Sequence, residues 1–525
     1  MRRSVLNVGQ ACSLSHRVSL LGRVWLSLLT VLPSTWGQTE PATTREFQRG
    51  KELAQRYCAT CHLFPDPNLL DRSTWQKGTM PFLRGRLGID RLDPTDPDHR
   101  VVLDEWQLVW KYYFAAAPEK ALPLGPRAPI QMDLKRFSVV NPGYRPGQRF
   151  VTLTQIDPAT CRIYVGNAQT KTLDVLDASG KLLSSLAVES PPVGLARRSS
   201  GWFCTLIGRV PPHDQRLGKV IQLDNKGDTF AWRADALANL GRPTHSAFGD
   251  LNGDGREDLV VSGFGNIMGE LAWYEQRSDG GYIPHVIYDR PGAVRTELFD
   301  FNKDGHLDIL VLMAQAKEGI YLLLNNGHGQ FTEKPVVEQH PVWGYAGFQL
   351  VDFNKDGFMD VLTANGDNGE YPSCLKNYHG IRLYLNDGQT RFREAFFYPL
   401  NGAFKAVAAD FDLDGDSDIA AISYFPDYES SPEESFVYLE NKGGLKFDAF
   451  SFPESVSGRW LVMDAGDVDG DGDPDIVLGA ANRTPYKVNP ALYEKWQNDG
   501  PSILILKNEV ISGRRSPARR IDCGL

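Results

Sequence analysis

The chain has 525 residues, more than one small domain usually holds and enough for two or three. Its hydrophobic fraction of 42% and charged fraction of 23% are those of globular proteins and exclude a wholly disordered chain. The formal net charge of −9 argues against a nucleic-acid binder. No apolar run reaches the roughly 18–20 residues that a transmembrane helix needs, so we expect no membrane span in the mature chain.

The first 37 residues are typical of a secretory signal peptide. An apolar run of nine residues, 24–32, is followed by a Pro-Ser-Thr-Trp-Gly break, and the small Gly37 is suited to precede a cleavage site. Four arginines stand before the run: Arg2, Arg3, Arg17 and Arg23. A buried strand or an N-terminal anchor is the alternative. A signal peptide over 1–37 predicts that the protein is exported.

Seven cysteines are too few to build a disulfide scaffold in a chain of this length. Two of them belong to the motif described next, and Cys12 would leave with the signal peptide. Export would allow Cys161 and Cys204 to pair. The sequence leaves the connectivity of Cys161, Cys204, Cys374 and Cys523 open.

The segment Cys58-Ala59-Thr60-Cys61-His62 carries the first recognisable chemistry. Two thiols separated by two residues can bond covalently to the two vinyl groups of a haem, and the adjacent histidine then ligates the iron. The alternatives are a redox-active cysteine pair or half of a zinc site, but no second cysteine pair lies nearby to complete the zinc site. We expect one haem c, attached through Cys58 and Cys61 and ligated by His62.

Met80 is the predicted second axial ligand. It is the only methionine between residues 41 and 130, where the only histidine besides His62 is His99. A methionine ligand would raise the reduction potential relative to two histidines. The alternative is that Met80 fills the core and that His99, or no side chain, occupies the sixth position. Helical spacing of apolar residues predicts a helix leading into the motif and another over 104–117.

Residues 41–120 resemble a small, class I-like c-type cytochrome domain. The resemblance rests on the Cys-Ala-Thr-Cys-His motif, the helix before it and the methionine downstream. It implies an all-α fold around one haem. The proline-rich segment 121–130 is predicted to be the linker that follows this domain.

An acidic segment of nine residues recurs five times, every 50 to 58 residues. Each copy has Asp or Asn at positions 1, 3, 5 and 9 and Gly at position 6, and an apolar strand follows. Oxygen ligands at this spacing suit a hard cation such as calcium, whereas a self-bonded Asx turn is the alternative for any single copy. We expect about five calcium ions, held by Asp250, Asn252, Asp254, Asp258, Asp300, Asn302, Asp304, Asp308, Asp352, Asn354, Asp356, Asp360, Asp410, Asp412, Asp414, Asp418, Asp467, Asp469, Asp471 and Asp475.

A repeat of this length, with short strands and glycine-rich turns, predicts the blades of a β-propeller. The repeats resemble the FG-GAP/VCBS family, because the first four copies are each followed by a second signature such as Tyr384-Leu-Asn-Asp-Gly388. The nine-residue acidic segment, which is predicted to bind an ion, is here called the ion loop. Two earlier units lack this loop, begin near Ile156 and Leu195, and fill the interval before the first copy. We therefore predict an all-β propeller with seven blades over 131–510, followed by a basic tail, 511–525.

The whole chain resembles exported bacterial proteins in which a c-type cytochrome domain is fused to an FG-GAP/VCBS propeller. The predicted fold class is thus multidomain, with a small all-α domain before a calcium-binding all-β domain. The resemblance implies a location in the periplasm or at the surface of a bacterium. Members of such a family need not share one function, so the fold implies a scaffold and not a reaction.

Three basic side chains share one register position in the predicted blades. His245, Arg295 and Lys405 each stand five residues before the first aspartate of an ion loop. Strand alternation would aim them together near the axis of the propeller. They are the candidate face for an anionic ligand or a partner, and solvated channel residues are the alternative.

These features favour an exported electron carrier whose propeller recognises a redox partner protein or a small-molecule or carbohydrate ligand. Whether the protein is an enzyme is left open and no catalytic residue is assigned, because no nucleophile elbow, P-loop, dinucleotide fingerprint or zinc-protease motif is present. One alternative is a propeller oxidoreductase, for example a sugar-oxidising one, that passes electrons to its own haem. Another is a calcium-dependent adhesion or redox-sensing protein.

Overall fold

The computed structural model describes residues 43–60, 62–147, 150–315, 317–369, 374–482 and 488–513. The predicted signal peptide, Cys61 of the haem motif and residues 514–525 of the predicted tail lie outside the described residues, so these stay predictions. The described residues from Arg45 onwards form one compact unit.

The first part of the described chain, here called the helical part, consists of helices and short connections. Its helices are α1 (Thr43–Cys58), α2 (Arg72–Thr74), α3 (Met80–Arg86) and α4 (Pro97–Ala116). A π-helical turn, Trp75–Thr79, joins α2 to α3, and 3₁₀ turns cover Pro67–Leu69 and Ile89–Arg91. The Asp96 carboxylate caps α4 by accepting the backbone N–H groups of Asp98 and His99. No helix among the described residues is long and apolar enough to cross a membrane.

Helices α1 and α4 approach each other closely at Gly50. A Cβ atom added to Gly50 would lie 2.5 Å from the Leu108 carbonyl oxygen and 2.9 Å from the Tyr112 Cβ atom. Both distances are well inside van der Waals contact. The two helices therefore pack at this distance because residue 50 has no side chain.

We expect Gly50→Ala to destabilise the helical part by about 1–3 kcal/mol, because the added methyl group must push α4 away from α1. Gly85→Ala in α3 is the matched control, since its added Cβ would approach no atom closer than 3.4 Å. The control is expected to be neutral or slightly stabilising, because alanine is the better helix former. Thermal unfolding of the full chain, followed by far-UV circular dichroism, measures both variants. Equal effects would contradict the close approach at Gly50.

Strands dominate the rest of the described chain and form seven sheets, the blades of a β-propeller. The strands β1 (Ile130–Gln131) and β2 (Phe137–Val140) come first. Blade 1 contains β3 (Val151–Asp157), β4 (Arg162–Asn167), β5 (Thr172–Leu176) and β6 (Leu182–Ala187). Blade 2 contains β7 (Pro192–Arg198), β8 (Gly201–Leu206), β9 (Gly218–Lys226) and β10 (Thr229–Leu240). Blade 3 contains β11 (Pro243–Gly249), β12 (Asp258–Gly263), β13 (Glu270–Gln276) and β14 (Tyr282–Tyr288).

The four remaining blades follow in chain order. Blade 4 contains β15 (Ala293–Phe299), β16 (Asp308–Met313), β17 (Glu318–Asn325) and β18 (Phe331–Gln339). Blade 5 contains β19 (Tyr345–Val351), β20 (Asp360–Asn365), β21 (Gly380–Asn386) and β22 (Phe392–Pro399). Blade 6 contains β23 (Ala403–Ala409), β24 (Asp418–Ser423), β25 (Phe436–Asn441) and β26 (Phe447–Phe450). Blade 7 contains β27 (Trp460–Gly466), β28 (Asp475–Ala480) and β29 (Ile503–Asn508), with the helices α5 (Pro490–Asn498) and α6 (Val510–Gly513) beside them in sequence.

The ring of blades is closed by a strand from its beginning. β2 pairs antiparallel with β29, so blade 7 takes its outermost strand from the N-terminal side and the other three from the C-terminal side. β1 adds to blade 6 by pairing in parallel with β26. Closure of this kind gives blade 7 four strands, as in blades 1 to 5, whereas blade 6 has five because of β1. The predicted number of seven blades is thereby confirmed.

The connections between strands divide between two faces of the ring. In blades 3 to 7 the first and second strands are antiparallel. The five ion loops join these strands and therefore all lie on one face of the ring, here called the lower face. The connections between second and third strands, and those between successive blades, lie on the opposite, upper face.

The helical part shares a core with the upper face and does not form a compact unit of its own. Val342 and Tyr378, which precede β19 and β21, are buried in the same cluster as Leu53 and Trp75. The Tyr378 hydroxyl also donates to the Leu69 carbonyl at 2.9 Å. The small separate domain expected from the sequence is therefore a helical part packed onto the propeller.

The predicted linker, 121–130, is fastened to the propeller. Its Arg127 guanidinium lies 2.7 Å from the Glu434 carboxylate, whose side chain is fully buried. The Tyr398 hydroxyl donates to the Ala128 carbonyl at 3.1 Å. Breaking the ion pair would leave a buried charge without its partner, which is costly. The predicted linker is therefore held against blades 5 and 6 by these contacts.

Cysteine pairing is partly resolved by the structure. Among the described cysteines, Cys58, Cys204 and Cys374 are free, while Cys161 is disulfide-bonded. Cys161 therefore does not pair with Cys204, as the sequence had allowed, and its partner lies outside the described residues.

Candidate functional sites

Cys58, the first cysteine of the haem motif, is the last residue of α1 and packs against α4. Its side chain is 8% exposed and its thiol interacts with the hydroxyl of Tyr113, which donates to the Pro65 carbonyl at 2.8 Å. Burial raises the pKa of the thiol to about 11, so it is protonated at neutral pH. Redox-active cysteine pairs depend on a thiol with a lowered pKa. This environment therefore disfavours the alternative of a redox-active pair.

His62 presents one free ring nitrogen. Its Nδ1 lies 2.8 Å from the Leu63 carbonyl oxygen, and a carbonyl oxygen can only accept a hydrogen bond. Nδ1 is therefore the protonated nitrogen in the neutral ring, and Nε2 keeps its lone pair. A hydrogen bond of this kind fixes the tautomer of metal-ligating histidines in general. The His62 ring is thus prepared to act as a ligand through Nε2.

A second histidine, His340, faces His62 from the connection between blades 4 and 5. The ring centroids are 4.4 Å apart and the ring planes meet at 78°. His340 is 8% exposed, and its Nδ1 accepts the backbone N–H of Val342 at 3.1 Å. Burial lowers the pKa of His340 to about 3, so this ring is neutral at pH 7. Two imidazole rings, one from the helical part and one from the propeller, therefore lie face to edge at this place.

The pocket beside the two histidines is small and mainly apolar. Its free volume is about 20 Å³, and side chains of the helical part form most of its walls, among them Leu69, Leu70, Trp75 and Leu83. Thr79 also lines the pocket, and within the described part of the chain its buried hydroxyl has no hydrogen-bond partner. Buried hydroxyl groups in folded proteins usually have a hydrogen-bond partner, so Thr79 leaves one unsatisfied polar group at this pocket.

Met80, the predicted second axial ligand, begins α3 directly after the π-helical turn, a feature that often accompanies functional sites. Its side chain is 1% exposed, in the same cluster as Cys58. His99 instead lies in the first turn of α4 with 41% of its side chain exposed, and its Nδ1 accepts the Asp93 N–H at 3.1 Å. The structure therefore brings Met80, and not His99, into the core around the haem motif. Ligation by Met80 stays a prediction.

His340 is the residue at this pocket that the sequence analysis missed. The predicted axial ligands all lie within residues 41–130, because the haem motif is predicted to belong to a separate domain. His340 lies between β18 and β19, so only the packing of the helical part on the upper face brings it near His62. Its one signal in the sequence is a histidine in a short segment that joins two blades.

The five ion loops share one hydrogen-bond pattern, which the loop of blade 5 illustrates. The carboxylate of Asp352, at position 1, accepts the backbone N–H groups of Asp356 and Gly357 at 3.0 and 2.9 Å. Asp360, at position 9, is fully buried and accepts the N–H of Asn386 at 2.9 Å. The corresponding bonds recur in the other four loops. Position 1 therefore shapes the turn, and position 9 ties the loop to the third strand.

The glycine at position 6 is required by the backbone. Its φ angle lies between 82° and 101° in all five loops, a left-handed conformation that side chains disfavour. This explains why glycine recurs at position 6. The hydrogen bonds within the loops also fit a self-bonded Asx turn, so the loops alone do not decide between that alternative and a bound ion.

Carboxylate oxygens come together most closely in blades 6 and 7, where position 3 is Asp instead of Asn. Two sets of three carboxylates each contribute one oxygen to a group whose members lie within 4.8 Å of one another: Asp410, Asp412 and Asp414, and Asp467, Asp469 and Asp475. Burial raises the pKa of Asp475 to about 7, which reflects the cost of charging it without a cation. Oxygen groups of this size suit a hard cation.

The structure brings His245, Arg295 and Lys405 together around the central channel. Each is the third residue of the innermost strand of its blade, β11, β15 or β23, and each follows a β-bulge. All three side chains line the same two cavities, of about 300 and 350 Å³. Asp464 of β27 joins them in the smaller cavity. Asp464 stands three residues before the first aspartate of its loop, so the register position shared by His245, Arg295 and Lys405 did not reveal it.

Comparison with known proteins supports the repeats. Residues 250–311 and 300–363 match the FG-GAP-like repeat family. Over 256 residues, 45% of this chain, the sequence is 23% identical to cartilage acidic protein 1 of Homo sapiens. It is 22% identical over the same length to cartilage acidic protein 1 of Mus musculus. The matches span 36% and 37% of these relatives, so the chain aligns with only about a third of their length.

Solved propellers resemble this fold at low sequence identity. The Neurospora crassa Pan2 WD40 domain matches with a TM-score of 0.42 and 10% identity, over 69% of this chain and 99% of that domain. The Myceliophteria thermophila Cps50 (Swd1) β-propeller domain matches with a TM-score of 0.40 and 10% identity, over 64% of this chain and 95% of that domain. The chain contains FG-GAP-like repeats, and its seven sheets form a seven-bladed β-propeller.

Proposed function

We propose that this protein is an exported c-type cytochrome with one haem, that it transfers electrons, and that its propeller is a recognition scaffold for a redox partner or a substrate. The observation that carries the proposal is the state of His62 in the Cys-x-x-Cys-His motif. Its Nε2 is free to bind iron, and it stands four residues after a buried cysteine, beside an apolar pocket.

The donor set at the motif suits a haem. Cys58 and Cys61 would form the two thioether bonds, His62 would bind one side of the iron through Nε2, and Met80 is the proposed ligand on the other side. When bound, the iron supplies one-electron exchange between its ferric and ferrous states. The free volume of about 20 Å³ is far smaller than a haem, so the leucine walls and His340 have to separate to admit it.

The location of His340 supports a coupled role for the two parts of the unit. His340 and Val342 belong to the connection between blades 4 and 5, yet both line the pocket at His62. A partner that binds the upper face and shifts this connection would alter the surroundings of the haem. We therefore assign recognition to the propeller and electron transfer to the helical part. The two surfaces adjoin at the pocket beside His62.

Calcium is the second proposed cofactor, with about five ions on the lower face. The repeated spacing of oxygen ligands and the two close groups of carboxylates support it. The ions would neutralise the crowded acidic side chains and stiffen the turns between first and second strands. They would stabilise the scaffold and take no part in electron transfer.

Haem spectroscopy of the full chain tests the proposal. Produced in a bacterium that matures c-type cytochromes, the chain should carry one haem that stays attached after denaturation, measured as the pyridine haemochrome. Haem reduction only after another protein is added supports the electron carrier. Reduction by a small substrate alone, surveyed with a panel that includes sugars, supports the oxidoreductase, whose substrate would enter the central channel. A matured chain without covalent haem contradicts both.

A further inference from the structure

The central channel contains a ring of basic side chains at the junction of two cavities. The cavity of about 350 Å³ is lined by residues from the beginnings of the innermost strands, near the upper face, and is here called the upper cavity. The cavity of about 300 Å³ lies towards the ion loops and is here called the lower cavity. His245, Arg295 and Lys405 line both cavities, so they separate one from the other.

The upper cavity combines apolar walls with positive charge. Its walls include Val210, Val294, Phe348, Phe404, Leu461 and Val462. Arg242 joins Arg295 and Lys405 there, and among the described residues no Asp or Glu lines this cavity. The lower cavity differs, because it contains the Asp464 carboxylate and several hydroxyl groups. A cavity of this size, with apolar walls and a few charged groups, is typical of a binding site for a small molecule.

Of the three cations in the upper cavity, Lys405 is the one whose donors bond to no described residue. The Arg295 guanidinium is paired with Glu297 at 2.8 Å, and the Arg242 guanidinium donates to the Val210 carbonyl. The Lys405 ammonium forms no ion pair or hydrogen bond with the described residues. Burial lowers the pKa of Lys405 to about 8, so it is mostly charged at pH 7. The Asp464 carboxylate of the lower cavity attracts it without forming an ion pair, so its ammonium donors stay open to a ligand.

We propose that the upper cavity binds a small organic carboxylate with an apolar body, whose carboxylate pairs with Lys405 while its body packs on the valine, leucine and phenylalanine walls. A charge-assisted hydrogen bond to Lys405 would satisfy the buried ammonium, and the walls would favour an apolar body over a fully hydrated anion. The inference rests on the proposed role of the propeller as a recognition scaffold, but it is measured without any redox step.

Titration calorimetry of the full chain with benzoate tests this site. Benzoate should bind, and Lys405→Met should weaken its binding at least about tenfold, because a charged hydrogen bond is lost. Lys446→Met is the matched control, an exposed lysine of the same blade, and should bind like the wild type. Val462→Trp, which fills the cavity and keeps the charge, should also abolish binding, so the test does not depend on one variant.

The pH dependence gives an independent measurement. Benzoate stays ionised between pH 6.5 and 9.5, whereas Lys405 loses its proton as the pH rises through a pKa of about 8. The affinity should therefore fall as the pH rises. The charged groups that act on Lys405 are Arg295, Glu297 and Asp464, while His245 stays neutral because burial holds its pKa well below its usual value.

Several outcomes would overturn the inference. One is that a chain with an intact haem spectrum does not bind benzoate. Another is that neutral benzyl alcohol binds as tightly as benzoate. A third is that Lys405→Met binds benzoate with unchanged affinity. Equally tight binding of inorganic phosphate would contradict the apolar body and point to a general anion site. A chain that binds benzoate but carries no haem would overturn the proposed function and leave this inference standing.

Discussion

Replacing His62 with alanine should abolish stable haem assembly in the full chain. The iron would lose its proximal ligand. Among the described histidines, His62 is the one in the motif, and its Nδ1 donates to a backbone carbonyl, so its Nε2 keeps the lone pair that binds iron. Haem content, measured as pyridine haemochrome per chain after maturation in a bacterium, should fall to near zero. His99→Ala is the matched control, since His99 is an exposed histidine of the same helical part and should leave the haem content unchanged.

The Met80→Ala variant tests the second ligand in the same preparation. A thioether bound to ferric iron gives a weak charge-transfer band in the far red, and the variant should lose that band and have a lower reduction potential. Met132→Ala, at an exposed methionine, should change neither. An unchanged band and potential in Met80→Ala would show that Met80 is not the ligand. His99, or an open sixth position, would then be the alternative to test.

Removal of calcium is expected to lower the melting temperature of the propeller while the haem spectrum stays largely intact. An occupied site stabilises the folded state by mass action, by about 2.7 kcal/mol when the free ion is at 100 times its dissociation constant. With about five sites the summed effect would be large for a chain whose carboxylates otherwise repel one another. Differential scanning calorimetry with a chelator, and after calcium is restored, measures the effect. No calcium-dependent shift would contradict the ion sites.

The loop of blade 6 provides a matched pair of variants for this experiment. Asp414 is at position 5 and is a predicted ligand through its side chain, whereas Asp416 is at position 7, where only the backbone carbonyl would bind the ion. Both side chains are exposed, and each substitution removes one negative charge from the same loop. Asp414→Ala should reduce the calcium-dependent gain in melting temperature, and Asp416→Ala should not. Equal effects would mean that total charge, and not ligation, is responsible.

The number of blades and the location of the ion loops could be predicted from the sequence because both depend on local chemistry. A nine-residue turn needs its carboxylate at position 1 to accept amides and its glycine at position 6 to adopt a positive φ angle, whatever surrounds it. The turns therefore recur visibly in the chain. The register of His245, Arg295 and Lys405 was visible for the same reason, since each is counted from such a turn.

Local sequence therefore specifies the content of each repeat: its strands, its turn and the residue types within them. Which repeats and segments meet depends on the packing of the whole chain. The docking of 121–130 through Arg127, the approach of His340 to His62 and the entry of Asp464 into the channel all join residues far apart in the chain. These contacts exist because the ring closes when β2 pairs with β29 and because the helical part packs on the upper face. Local spacing carries no information about such packing, so no motif could have predicted it.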